Sequence, residues 1–191
     1  MSLRDWFGPR ADGRAGDMDG DAMRIDLEDV GANDGVTQPK SALAKLLGVT
    51  GAGMLLALVS QWEGKSNDPY RDLVGVWTVC YGETQQPMRR YTDAECKAML
   101  ERRLVDYAGP VLKRNPELRN HPHMAVAASS LAYNIGTAAY NRSSVARMFS
   151  AGQYRAACDA FLRYRFAGGR EVKGLVNRRR SERAICLKGL T

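Results

Sequence analysis

Residues 62–84, WEGKSNDPYRDLVGVWTVCYGET, contain the pattern that decides the fold. From Tyr70 onward the segment is rich in valine, tryptophan, threonine and tyrosine, and it is interrupted by Gly75 and Gly82. β-branched and aromatic residues separated by glycines favour short strands joined by turns. The segment therefore predicts a small hairpin region.

The stretch that precedes the hairpin is apolar. Residues 46–61, LLGVTGAGMLLALVSQ, carry no charge and follow Lys40 and Lys45. We expect a helix here that buries its apolar side and ends close to Glu63, with Gly64 following.

Downstream of the hairpin the pattern is helical. Thr92 and Glu95 have the spacing of a capping box, in which each side chain bonds the other residue's backbone N–H. Pro110 and Pro116 are expected to lie in a loop. The remaining predicted helices are residues 124–136, ended by Gly136, and about 143–150, 154–165 and 175–188, with the Gly168–Gly169 pair between the last two. Together these elements predict an α+β, mostly helical fold, with a small β-hairpin lobe and a helical lobe flanking a cleft.

Charge is distributed unevenly along the 191 residues. Residues 1–40 hold five basic and nine acidic side chains, whereas the rest of the chain holds 23 basic and 12 acidic ones. We expect an acidic, flexible tail over residues 1–40, without the pattern of a cleavable signal peptide, and a catalytic domain over residues 41–191. So basic a domain favours a polyanionic partner, but charge alone does not choose between nucleic acid, anionic lipid and the bacterial wall. The four cysteines form no CxxC pair, so we expect no zinc site.

Three side chains near the hairpin suit glycoside hydrolysis. Glu63 is expected in an apolar setting at the negative end of a helix, where the protonated form of a carboxyl group is favoured and can act as a general acid. Asp72 and Thr78 follow on the turn entering the hairpin and on its strand. A carboxylate and a hydroxyl at these places could hold the attacking water.

The same residues match a known pattern. Glu63-Gly64, Tyr70-x-Asp72, Gly75 and the segment 78–82 (TVCYG) resemble the active-site segment of phage-type lysozymes, glycoside hydrolase family 24. Three further segments follow in family order and spacing: LAYNIG (131–136), AGG (167–169) and GLVNRRRSER (174–183). The resemblance covers roughly residues 54–190 and is strongest to the endolysins of lambdoid-type phages and prophages.

The resemblance implies an activity and a site. Enzymes of this family hydrolyse the β-1,4 bond between N-acetylmuramic acid and N-acetylglucosamine in peptidoglycan, here expected to proceed with inversion. Glu63, Asp72 and Thr78 would be the catalytic set, and Tyr81 and Asn134 would line the substrate cleft. We expect no cofactor, no metal and no nucleic-acid partner, and we expect a monomer.

Further expectations accompany the resemblance. The family often has histidine at position 83, so Glu83 reverses the charge there and could alter an ion pair between the lobes. In the family's helical lobe Cys158 and Cys186 lie on helices that pack together, which favours a bridge between them. Cys80–Cys96 is a second candidate bridge. Residues 178–180, three arginines, are expected on a solvated helix face.

Two interpretations of residues 46–61 remain open. The segment is the first helix of the domain, and the enzyme then waits in the host cytoplasm for a holin to release it to the periplasm. Alternatively it is also a weak signal-anchor that associates transiently with the inner membrane, although sixteen residues with three glycines are few for a stable span.

Two other functions also remain open. A lysozyme-like domain could bind peptidoglycan or a partner without cutting it. A lytic transglycosylase would use one acid alone and leave 1,6-anhydro ends, so Asp72 and Thr78 would be superfluous.

Overall fold

The computed structural model describes residues 41–72 and 74–190. The predicted acidic tail, residues 1–40, lies outside the described part of the chain. The helices are α1 (Ala42–Ser60), α2 (Asp93–Arg114), α3 (Pro122–Ile135), α4 (Thr137–Asn141), α5 (Ser144–Ser150), α6 (Tyr154–Ala160) and α7 (Lys173–Lys188). The strands are β1 (Ser66–Arg71), β2 (Trp77–Cys80), β3 (Phe166–Ala167) and β4 (Arg170–Glu171), and short 3-10 helices span Pro116–Asn120 and Phe161–Arg163.

Helix α1 is the predicted apolar helix and lies in the core. It begins after Ser41, whose side chain accepts a hydrogen bond from the Ala44 N–H at 3.1 Å. It is kinked at Gly48, where φ is +72°, a conformation that glycine adopts without steric cost. Beyond the kink it packs against α2 and α3, with Leu55 and Val59 fully buried.

The predicted hairpin is present, but its first strand begins at Ser66, four residues before the predicted region, and contains no β-branched residue. Strands β1 and β2 pair antiparallel, with Tyr70 opposite Thr78 and Arg71 opposite Trp77. The loop between them contains Gly75 at φ +80°. This lobe has a small apolar core of its own, formed by Val79, Cys80, Tyr91, Cys96 and Met99. The larger core belongs to the helices, so the described residues form the two lobes that were expected.

The capping box and α3 are confirmed. The Thr92 side chain accepts a hydrogen bond from the Glu95 N–H, and the Glu95 carboxylate accepts one from the Thr92 N–H. Helix α3 is buried over most of its length and ends at Gly136, where φ is +86°.

The predicted loop at Pro110 is wrong. Pro110 lies inside α2, which continues to Arg114. Its missing N–H costs one hydrogen bond, but Val111 and Leu112 are 0% and 1% exposed, and burial of these side chains offsets that cost.

Two further boundaries differ from the prediction. Helix α6 ends at Ala160 and tightens into the 3-10 turn, instead of continuing to residue 165. The Gly168–Gly169 pair forms the turn of a second small hairpin, β3–β4, with both glycines at positive φ.

Both expected disulfide bridges are present. Cys80–Cys96 joins the hairpin to α2, and Cys158–Cys186 joins α6 to α7. Each lobe therefore contains one covalent link between neighbouring elements.

Candidate active site

Glu63 continues the helical turn beyond α1. Its N–H donates to the Val59 carbonyl at 3.2 Å, so the residue is held against the end of the helix. Its side chain is 1% exposed, as expected for a buried acid. The setting is not purely apolar, however, because Arg178 Nη1 lies 3.1 Å from Glu63 Oε1 and donates a hydrogen bond to it. Glu63 is thereby tied to α7.

Asp72 is the first residue after β1 and organises the hairpin loop. Its Oδ1 accepts hydrogen bonds from the Val74 N–H at 3.0 Å and the Val76 N–H at 2.8 Å. Its own N–H donates to the Val76 carbonyl. The side chain is half-buried, and these bonds fix the direction of its carboxylate.

Thr78 lies on β2 and is 3% exposed. Its hydroxyl donates to the Val76 carbonyl at 3.1 Å. The Asp72 carboxylate and the Thr78 hydroxyl therefore both bond to the backbone of Val76, the first to its N–H and the second to its carbonyl. Because the Thr78 proton is already engaged, its oxygen is left to accept a hydrogen bond.

The arginine cluster on α7 corrects the sequence-based prediction. Arg178 and Arg179 are fully buried rather than solvated, and Arg180 is exposed. Both buried guanidiniums contact Glu182, which is also fully buried. Burial lowers the pKa of Arg179 to about 10, although the Glu182 carboxylate acts in the opposite direction.

Sequence reasoning missed these partners of Glu63. The run Arg178–Arg179–Arg180 has no apolar period that would mark it as buried. The one available signal was Glu182, since a carboxylate three and four residues after two arginines can pair with both on one helix face.

The two expected cleft residues lie in different places. Tyr81 is half-buried and packs against both apolar clusters, so it lies between the lobes. Asn134 lies near the end of α3, next to Tyr133, whose ring is 5.9 Å from the Arg178 guanidinium. Its Oδ1 is buried and accepts no hydrogen bond from residues 41–72 or 74–190.

Glu83 forms an ion pair with the helix behind the hairpin. Its Oε1 lies 3.0 Å from Arg103 Nη1, which also donates to the Gly82 carbonyl at 3.2 Å. Burial, the largest single effect, lowers the pKa of Arg103, but Glu83 together with Tyr133 and Tyr107 raises it by more, so the net shift is upward. The carboxylate at position 83 is thus paired with a cation on α2.

An open cavity of about 460 Å³ lies between residues 83–86 and α2. None of the five predicted catalytic and cleft residues lines it. The cavity is therefore a polar site separate from the candidate catalytic residues. In the part of the chain that is described, no group of three or more histidine, cysteine, aspartate or glutamate side chains is placed to hold a metal ion.

Known proteins are similar to this chain in sequence and in fold. The family model described as Phage lysozyme matches residues 60–182. The SAR-endolysin of Enterobacteria phage P21 is 42% identical over 132 residues, which cover 66% of this chain and 78% of that protein. The SAR-endolysin of Escherichia phage Mu is 37% identical over 158 residues, covering 77% and 91% of the two chains.

Solved structures agree with the sequence relatives. The active form of the P1 phage endolysin Lyz superposes with a TM-score of 0.61 at 26% identity, over 78% of this chain and 95% of that one. A variant of P22 lysozyme gives a TM-score of 0.62 at 27% identity, over 73% and 96%. The chain therefore belongs to the phage lysozyme family, and it is a peptidoglycan-hydrolysing endolysin with a lysozyme-like fold.

Proposed function

We propose that the chain hydrolyses the β-1,4 bond between N-acetylmuramic acid and N-acetylglucosamine by a single displacement with inversion. The observation that carries this proposal is the pairing of the Asp72 carboxylate and the Thr78 hydroxyl on the backbone of Val76. We infer that these two acceptors, bonded to the same residue, hold the attacking water by its two protons, while Glu63 is the separate, buried acid.

Each group has one role in the proposed reaction. Glu63 donates its proton to the glycosidic oxygen as the bond from that oxygen to the anomeric carbon breaks. The water attacks this carbon from the opposite face and gives a proton to Asp72, while Thr78 accepts the water's other hydrogen bond. Arg178, at 3.1 Å, then stabilises the carboxylate that forms on Glu63.

Three matched substitutions test the assignment. Glu63→Gln keeps the shape and can still accept the hydrogen bond from Arg178, so we expect a folded protein whose rate falls by several orders of magnitude. Asp72→Asn should also be severe, with more residual activity. Asp68→Asn is the control, because Asp68 is exposed and pairs with Arg90 at the surface. The readout is the release of reducing ends from purified peptidoglycan.

The product distinguishes the mechanisms. Inversion at a β-linked strand releases the α-anomer first, which proton NMR of the earliest product detects. An initial β-anomer would contradict the roles of Asp72 and Thr78. Products with 1,6-anhydro ends would show a lytic transglycosylase, and binding without cleavage would show a non-catalytic domain.

We also propose that α1 serves first as a releasable membrane anchor, and that the released enzyme acts in the periplasm as a monomer. The P21 and Mu relatives are named SAR-endolysins. Helix Ala42–Ser60 is long and apolar enough to cross a membrane, and half of that span is buried inside the domain. While α1 is inserted, Glu63 is held at the bilayer surface, away from Arg178 on α7.

One glycine tests the anchor. Gly53 is exposed, and a side chain there meets nothing within 4 Å, so Gly53→Leu should be tolerated in the folded domain. In the bilayer the same change strengthens insertion. We expect more protein in the membrane fraction and slower lysis, with unchanged activity of the purified soluble enzyme. Gly109→Leu on α2, which also has open space, is the control. If release requires a holin and is the same for the wild type and Gly53→Leu, holin-dependent export is favoured instead.

A further inference from the structure

Glu182 is a buried carboxylate in the middle of α7 that the proposed reaction does not use. It is 0% exposed. Its Oε1 accepts hydrogen bonds from Ser130 Oγ at 2.6 Å, Arg179 Nη2 at 2.9 Å and Arg178 Nε at 3.3 Å. Three donors, two of them cationic, therefore converge on one carboxylate oxygen.

The guanidinium of Arg178 connects this carboxylate to the acid. Its three nitrogens have three different acceptors: Nη1 donates to Glu63 Oε1, Nε to Glu182 Oε1 and Nη2 to the Ser130 carbonyl at 3.4 Å. Arg178 therefore lies between two carboxylates, and each nitrogen of its planar guanidinium group is held by a hydrogen bond. Ser130 on α3 contacts both α7 partners through its carbonyl and its hydroxyl.

The contact with Arg178 would by itself oppose the role of Glu63 as a general acid, and Glu182 offsets this effect. A general acid must hold its proton at the working pH, whereas an adjacent guanidinium favours the ionised carboxylate. A second carboxylate on another edge of the same guanidinium offsets part of that positive charge. The interaction is strong because none of these side chains is exposed to solvent.

We propose that Glu182 is a positioning residue for the hydrolysis: it orients Arg178 against Glu63 and balances the guanidinium charge beside that acid. This inference rests on the proposed role of Glu63 as the acid. Glu182 itself does not touch the glycan.

Arg179 acts on Glu182 from the other side. Its Nε lies 2.8 Å from Glu182 Oε2 but misses hydrogen-bond geometry, and its Nη1 finds no acceptor among the described residues. Among the described residues, the charged and titratable groups seen around Arg178 include Glu63 at the end of α1, Tyr133 on α3, and Glu182 and Arg179 on α7. Removing a negative or a positive charge from this set should have opposite effects on Glu63.

Two neutral substitutions test the proposal on the full-length enzyme. Glu182→Gln leaves the arginine charge uncompensated, so the ionised form of Glu63 is favoured. The alkaline limb of the pH–rate profile should move about one pH unit lower, with about a tenfold loss of rate along that limb. Arg179→Met removes a positive charge at similar volume, so the limb should move to higher pH. Peptidoglycan hydrolysis is measured at constant ionic strength.

Two further variants separate charge from structure. Glu182→Asp keeps the charge and should leave the limb near its wild-type position, even if the rate falls. Glu171→Gln removes an exposed carboxylate that pairs with Arg165, and it should change nothing. Circular dichroism and thermal unfolding establish that each variant is folded. If Glu182→Gln does not fold, the test is whether the alkaline limb of the pH–rate profile moves to higher pH in Arg179→Met.

The outcomes are distinguishable. Opposite shifts in Glu182→Gln and Arg179→Met support the proposal. A reduced rate with an unmoved limb in both variants would show that Glu182 is only structural and would overturn it, while the loss of activity in Glu63→Gln still supports the acid. Full activity in Glu63→Gln would instead overturn the proposed function itself.

Discussion

Glu83 and Arg103 form an ion pair between the hairpin segment and α2. The two side chains are 14% and 29% exposed, so the pair is neither fully solvated nor fully buried. Glu83 is also held by backbone hydrogen bonds to Val79, the residue after Thr78. The ion pair therefore connects the strand that carries Thr78 to α2.

Removing the charge at position 83 should weaken this connection. We expect Glu83→Gln to lower the free energy of unfolding by about 1–2 kcal/mol, because Arg103 loses its partner in a partly desolvated place. Asp68→Asn breaks the ion pair between Asp68 and Arg90, whose side chains are 59% and 77% exposed. This change should lower the free energy of unfolding by less than about 0.5 kcal/mol. Urea unfolding measures both. Equal losses of unfolding free energy in the two variants would show that partial burial of the Glu83–Arg103 pair does not make it more stabilising than an exposed pair.

At the scale of the element, the first turn of α2 depends on Glu95. Its carboxylate accepts hydrogen bonds from Arg89 at 2.7 Å and from the Thr92 N–H at 2.7 Å. The hydrogen bond from Arg89 is the largest cause, followed by the backbone and side chain of Thr92, and together they lower the pKa of Glu95 from 4.5 to about 2.

This shift predicts the pH dependence of stability. Because the folded-state pKa is lowered, Glu95 stabilises the fold fully above about pH 4.5, and this contribution is lost as the pH falls toward 2. The difference in unfolding free energy between the wild type and Glu95→Gln should therefore be largest near neutral pH and vanish in acid. Glu101→Gln, on the same helix, is the control. A difference that is independent of pH would contradict the ionic origin.

At the scale of the whole molecule, the two disulfides stabilise different lobes. Cys158–Cys186 closes a separation of 28 residues and Cys80–Cys96 one of 16. The loop-entropy relation gives a loss of about 3–4 kcal/mol when either bridge is removed, slightly more for the longer loop. Thermal unfolding of Cys158→Ala/Cys186→Ala and Cys80→Ala/Cys96→Ala measures both losses. Thiol titration of the denatured, non-reduced protein should find no free thiol, and four free thiols would contradict the pairing.

The domain should hydrolyse peptidoglycan without residues 1–40. A chain that begins at Ser41 retains the N-cap of α1, and it loses a segment whose excess of acidic residues opposes an acidic substrate. We expect activity on purified peptidoglycan within about twofold of the full chain, a difference of less than RT in activation free energy. Loss of folding or of most activity on this truncation would show that the segment packs on the domain.

Much of the fold follows from local patterns. The alternation of glycines with β-branched and aromatic residues predicts the hairpin, and the Thr92–Glu95 spacing predicts the start of α2. The end of α2 could not be predicted in the same way, because Pro110 signals a loop locally. Only packing of Val111 and Leu112 against the helical core shows why the helix continues.

The sequence by itself was enough to predict Glu63, Asp72 and Thr78 as the candidate site, since short motifs contain both the residue types and their spacing. Tertiary structure decided what surrounds the acid. The segment 178–183 is polar throughout, which locally favours solvent. Contact between α3 and α7 instead buries Arg178, Arg179 and Glu182 beside Glu63. Charges can be buried there because each faces an opposite charge, and Glu63 and Arg178, 115 residues apart, meet only in the folded chain.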